Sequence, residues 1–149
     1  NGFFLMVESA SIDKQSHLRR PCGHIGEVLQ LDEAVESALA FSKNNQNTLI
    51  LVVADHGQAA QLVPQKSLFS ALEIPIYSKG YFARVRTLEG DILGVNYGTN
   101  NFKLEEHTGV QVPLYASGSG SEAITSYLLQ PDIFTIMARH LMLPARGSD

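Results

Sequence analysis

The chain has 149 residues and a formal charge of −4, with 44% hydrophobic and 17% charged residues. That balance suits one soluble globular domain able to bury roughly two-thirds of its unfolded surface, and it excludes a disordered chain. No basic stripe marks the chain for nucleic acid, and no apolar run approaches the ~20 residues that cross a bilayer. An anionic ligand stays open despite the acidic excess, because bound cations reverse a local field.

In chain order, Phe3-Phe4-Leu5-Met6-Val7 is a continuous apolar run bounded by polar residues, which predicts a strand buried on both faces. The chain enters this run directly from Asn1-Gly2 with no basic leader, as expected of a piece taken from something longer. Cys22 is the single cysteine: a small hydrophobe in an intracellular protein, or a thiol without its partner in an exported one. From Ile25 to about Phe41 the residues Val28, Leu31, Val35, Ala38 and Leu39 recur at helical spacing, with Glu27, Asp32, Glu33 and Glu36 opposite them. Asn44-Asn45-Gln46-Asn47 ends that helix, and residues 48–54 read as a second buried strand.

Strand, helix and strand with a short return form a βαβ unit, which implies parallel pairing. Residues 82–86 and 91–95 flank Glu89-Gly90 and predict a hairpin on the periphery. Residues 111–116 predict another strand, with Pro113 at its edge or end. Ser117-Gly118-Ser119-Gly120-Ser121 reads as a flexible loop before a helix, since it lacks a nucleophile elbow and a P-loop lysine. A closing helix is predicted from Pro131 or Asp132 through Leu141, with a stripe of Ile133, Phe134, Met137 and Leu141. The expected class is α/β: a mainly parallel sheet flanked by helices over residues 1–143, then a flexible polar tail over 144–149.

Ligands of open α/β sheets collect at the carboxyl ends of the strands. The first predicted strand runs into Glu8, with Asp13 and His17 just beyond, and the second runs into Asp55-His56. Parallel strands would bring both groups to one sheet edge. Asp and His are ligands that zinc accepts, whereas Glu8 suits a harder ion such as magnesium. His107, in Glu105-Glu106-His107-Thr108-Gly109, precedes another predicted strand and could reach the first group. Each signal has an ordinary reading too, since an aspartate at a strand end commonly caps a helix or turn.

Taken together, Val7-Glu8, Asp13-Lys14 and His17, then Ala54-Asp55-His56, then Glu106-His107-Thr108-Gly109 resemble the C-terminal part of alkaline phosphatases of the bacterial periplasmic type. Ile12-Asp13-Lys14-Gln15, Pro21-Cys22-Gly23, Asp32-Glu33-Ala34-Val35 and Asn96-Tyr97-Gly98 follow in the family's order. The resemblance implies a first zinc on Asp13, His17 and His107, and a second with Asp55 and His56 among its ligands. It also implies a magnesium ion ligated by Glu8, and a phosphate contact by Lys14. The family reaction is hydrolysis of phosphate monoesters to inorganic phosphate through a phosphoserine. The resemblance further implies a homodimeric parent, periplasmic or secreted, with no nucleic-acid or membrane partner.

The chain departs from the family where the nucleophile should be. The family's serine lies in an Asp-Ser-Ala segment of its N-terminal half, and that string does not occur here. The aspartate shared by the second zinc and the magnesium, the phosphate-clamping arginine and the other magnesium ligands have no match either. Cys22 matches one half of a family disulfide whose partner lies upstream. The expectation is therefore one complete zinc ligand set, fragments of two further sites, and no turnover without the missing N-terminal half. A catalytically silent metal-binding fragment, or a related phosphodiesterase or phosphomutase, are the alternatives. Bland roles are expected for His24 at a helix start, for a partly exposed His140, and for Arg19-Arg20 as a solvated pair.

Overall fold

The computed structural model describes residues 2–64, 70–72 and 81–144. All but Pro144 of the expected tail lies outside them. In chain order the elements are α1 (Ala10–His17), α2 (Pro21–Asn44), β1 (Leu49–Val53), β2 (Gly57–Gln58), β3 (Ala60–Val63) and a 3-10 turn (Ser70–Leu72). There follow β4 (Tyr81–Arg86), β5 (Ile92–Tyr97), β6 (His107–Thr108), β7 (Leu114–Gly118), a second 3-10 turn (Ser121–Ala123) and α3 (Gln130–His140). The described residues form two compact units, one drawn from residues 2–7, 32–55 and 112–144, the other from residues 8–31, 56–64, 70–72 and 81–111.

In the unit that holds β1, this strand pairs antiparallel with β7, from Leu49 opposite Gly118 to Val53 opposite Leu114. Pro113 stands just before β7, where its missing N–H costs the ladder nothing. Ser117 and Gly118 extend β7 rather than opening a loop, and a turn then leads into the second 3-10 segment. Gly118 has φ +89, and a Cβ there would lie 2.1 Å from the Thr48 carbonyl oxygen, so only glycine closes this corner. The Asp132 carboxylate caps α3 by accepting the Leu129 N–H at 2.9 Å, and Pro131 occupies the first turn. α3 buries Ile136, whereas Phe134 is exposed, so the inward stripe lies to one side of the expected one.

The other unit is built on the antiparallel sheet β3-β5-β4 and the short antiparallel pair β2-β6. The hairpin forms as the sequence predicts, closed by Thr87 N–H to Asp91 O at 2.8 Å, but it is not peripheral. β5 is the middle strand, and Val95, Asn96 and Tyr97 on it are buried. The glycine and asparagine within β5 hid this in the sequence. A Cβ on Gly94 would meet Val63 O at 2.8 Å and Phe82 Cζ at 2.9 Å, so the bare backbone lets both neighbours close in.

Two further expectations are corrected. Residues 2–9 join no ladder, and every strand pair among the described residues is antiparallel. The parallel βαβ arrangement is therefore not formed by them, although helices and strands together keep the class α/β. A continuous apolar run reports a need for cover on both faces, not the presence of a neighbour. Phe3, Phe4, Leu5, Met6 and Val7 remain 59–78% exposed, with one ring contact from Phe3 to Phe41 at 5.9 Å. α2 begins earlier than its apolar pattern, at Pro21, and its residues Ile25, Val28 and Leu29 are exposed.

Burial thus discriminates between apolar positions that look alike in the sequence. Ile136→Ala should cost about 2 kcal/mol or more, while Leu5→Ser should stay within about 0.5 kcal/mol; urea melts of the two variants measure the contrast. Tyr97 generates a pH effect. Burial raises its phenol above the ordinary tyrosine value, and the neighbouring Cys22 and Glu105 add to the shift. The unfolded chain therefore gives up this proton first, near pH 10, and stability falls as pH rises from there through the raised folded value. Tyr97→Phe should flatten that fall in melts taken above pH 10. At pH 8 it should change stability by no more than about 1 kcal/mol, because the hydroxyl has no hydrogen-bond partner among the described residues.

Candidate metal centre

Asp13 and His17 lie one turn apart on α1, so their side chains share a face. The Nδ1–H of His17 donates to the Glu105 carbonyl oxygen. A proton on Nδ1 leaves Nε2 with a lone pair, the arrangement found in metal-binding imidazoles. Nε2 lies 3.3 Å from Asp13 Oδ2. On the far side, β6 pairs with β2 so that His107 stands opposite Gln58. The Gln58 amide donates to Asp13 Oδ1, so one residue of β2 sets the register of His107 and steadies the carboxylate.

These elements bring His107 Nε2 to 3.0 Å from His17 Nε2 and 3.3 Å from Asp13 Oδ1. The donor atoms of Asp13, His17 and His107 all lie within 4.8 Å of one another. Two ring nitrogens and a carboxylate this close repel unless a proton or a cation stands among them. Two nitrogens and one oxygen make a zinc-type donor set. The side chains are one-quarter to one-half exposed, so solvent reaches the centre and a fourth position is accessible.

His56 borders this group. Its ring stacks on His107 with centroids 3.6 Å apart, and its Nε2 is 4.0 Å from Asp13 Oδ1. Asp55 counts with the other unit, where its backbone carbonyl accepts a hydrogen bond from the Gln130 amide. Glu8 and Lys14 are exposed and lie outside the three-residue group. His24 sits in the first turn of α2 as expected; burial lowers its pKa and so favours the neutral ring, opposed by the Asp13 charge. His140 is half-buried in α3, and Cys22 is an exposed free thiol.

Arg19 is a correction. It is not solvated like Arg20: its side chain is 8% exposed and pairs with the fully buried Glu105 at 2.8 Å. No local pattern announced this pair, because the partners are 86 positions apart. Glu105 and Gln58 are the residues that sequence reasoning passed over at the centre. The one available signal was a glutamate two positions before a candidate ligand.

A family model described as alkaline phosphatase matches residues 1–75. The chain is 41% identical over 143 residues to alkaline phosphatase H of Pseudomonas aeruginosa, covering 96% of this chain and 28% of that protein. It is 39% identical over 142 residues to the alkaline phosphatase of Escherichia coli, again covering 95% and 28%. Against the streptomycin-6-phosphate phosphatase of Streptomyces griseus it is 42% identical over 118 residues, 78% of this chain and 24% of that one. Among solved structures, a TAB5 alkaline phosphatase variant with magnesium bound in its M3 site superposes with a TM-score of 0.64 at 22% identity. That match covers 92% of this chain and 35% of that one, and it shows a shared fold. The chain thus spans a little over a quarter of the length of its bacterial alkaline phosphatase relatives. With a family match over half its length, the chain belongs to the alkaline phosphatase family.

Proposed function

We propose that the chain supplies the zinc-holding part of a phosphate monoester hydrolase, with the nucleophilic serine of its phosphoserine intermediate outside these 149 residues. The observation that carries this reading is the convergence of Asp13, His17 and His107 in a member of this family. Asp13, His17 and His107 would hold the first zinc, Asp55 and His56 would contribute to a second, and Glu8 would contribute to a magnesium site. Bound there, the metals would polarise a phosphoryl oxygen and make a water acidic enough to attack at neutral pH.

The chain's own residues prepare that centre. The Glu105 carbonyl holds the His17 tautomer with Nε2 free, and Gln58 orients the Asp13 carboxylate. His56 stacks on His107 and limits the tilt of that ring. Lys14, exposed one position after Asp13, offers a cation to the phosphate. Relatives named as phosphatases, one of them for streptomycin 6-phosphate, favour monoesters over diesters. Inorganic phosphate as product, a homodimeric parent and an exported location follow from the same resemblance.

Two measurements test the reading. Calorimetry of the 149-residue chain with zinc should give about one equivalent, and His107→Ala should weaken binding beyond the ~10–100-fold typical of an outer-shell change. The chain alone should not hydrolyse p-nitrophenyl phosphate above a metal-free blank. Exchanged for the matched 142 residues of the Escherichia coli relative, it should restore zinc-dependent turnover that a chelator abolishes. A folded, zinc-loaded chimera without turnover would sink the phosphatase reading.

A further inference from the structure

Arg19 and Glu105 stand two positions beyond and two positions before the proposed ligands His17 and His107. The Arg19 guanidinium spends its donors on one short stretch of chain. Nε donates to Glu105 Oε2 at 2.8 Å, Nη1 to Phe102 O at 2.8 Å and Lys103 O at 3.2 Å, and Nη2 to Asn100 Oδ1 at 3.1 Å. Its Cζ lies 4.1 Å from the Tyr81 ring centroid, a cation–π contact that fixes the plane of the fork. Asn100 Oδ1 also accepts the Phe102 N–H at 2.7 Å, which holds the stretch in a turn.

Glu105 returns the connection. Its backbone N–H donates to His17 O at 2.9 Å while its carbonyl accepts from His17 Nδ1. Its other carboxylate oxygen, Oε1, accepts the Glu106 N–H at 3.3 Å. The result is a closed ring: His17 to Arg19 along the chain, across to Glu105, back to His17 by two hydrogen bonds, and onward to His107. Arg19 occupies the left-handed region at φ +54, which a residue with a Cβ holds only when its surroundings over-determine it.

We infer that the buried Arg19–Glu105 pair is a positioning device for the metal centre, setting the approach of His17 Nε2 to His107 Nε2 as well as anchoring the fold. The inference rests on the zinc reading of Asp13, His17 and His107. Arginine is required for this role because only its planar fork serves a carboxylate, two carbonyls and an amide at once. Lysine would keep the charge and lose the bracket.

The test compares zinc affinity by calorimetry, the visible absorption of the cobalt(II)-loaded protein and the melting temperature of the metal-free protein. The variants are Arg19→Lys, Glu105→Gln and the double variant Arg19→Met/Glu105→Met. The double variant leaves no buried charge unpaired, so it folds where a single one fails. Positioning predicts a ~10–100-fold loss of zinc affinity and an altered cobalt ligand-field spectrum in folded variants, the double included. Folded variants with wild-type affinity and spectrum but a lowered melting temperature overturn the inference and leave the zinc reading intact. Loss of the fold in all variants, the double included, also overturns it, because the pair is then a structural prerequisite and no more. A wild-type chain that binds neither ion overturns the zinc reading and this inference together.

Discussion

Two hydrogen bonds between His17 and Glu105, from backbone N–H to carbonyl and from ring to carbonyl, tie together the unit that carries the Asp13–His17–His107 cluster. α1 has eight residues and no side-chain N-cap bond, and a helix that short is not stable by itself in water. Its position therefore comes from what it touches, and at its end the His17 carbonyl accepts the Glu105 N–H from the segment before β6. The cost of that arrangement is a carboxylate fully removed from solvent. Burying Glu105 alone would be unfavourable by several kcal/mol; the Arg19 fork and the Glu106 N–H offset this by satisfying both carboxylate oxygens. The Asp13–His17–His107 geometry then follows from two registers, the turns of α1 and the β2-β6 pairing.

The same unit has an unusual interior. Among its described residues the side chains it buries completely are Tyr97, Glu105, Asn96 and Ser16, while the buried hydrophobic ones are Ala59, Val95 and Tyr97. Polar groups in that position specify geometry more than they stabilise it, because each must find a partner and small errors are costly. The other unit shows the complementary deficit. Residues 3–7 present five large apolar side chains to solvent, and covering each would be worth about 1.5–3 kcal/mol. Together those exceed the net stability of many domains, which is ~5–15 kcal/mol. The apolar potential of this chain is thus largely unspent among the described residues, and its order comes from hydrogen-bonded ladders and the polar ring around Glu105.

What was legible in the sequence follows from that division. Periodic signals with local causes came through: the β4-β5 hairpin around Glu89-Gly90, β1 from its branched apolar run, α3 from Pro131, and the body of α2. Asp13 and His17 were singled out as polar residues just beyond a predicted strand, but α1, which sets them on one face, was not foreseen. His107 was raised by its place before a predicted strand and assigned by the order of motifs in a resembling family, since nothing local says that position 107 returns to position 17. Arg19 was misread for the same reason, as its partners lie 81 to 86 positions away. The first predicted strand failed differently. Apolar runs encode a demand for burial, and pairing direction depends on neighbours that no periodicity names.

A thin apolar interior changes what metal binding would do. In a rigid, well-packed protein the ligands wait in place, and binding energy goes into affinity. Here the donors come from α1 and β6: two hydrogen bonds tie α1 to the segment before β6, and a two-residue ladder holds β6 against β2. An ion held by both would add a cross-link across about ninety residues of chain. Such an ion contributes to folding free energy as well as to chemistry, as structural metals do in small domains with little core. At 3.0 Å the two Nε2 atoms share a hydrogen bond when one ring carries its proton there, and repel only when both lone pairs face. A cation between them would take the place of that proton. Under the proposed zinc reading, fold stability and metal occupancy would be coupled through the same three side chains, with the hydrogen bonds around Glu105 doing part of the ordering before the ion arrives.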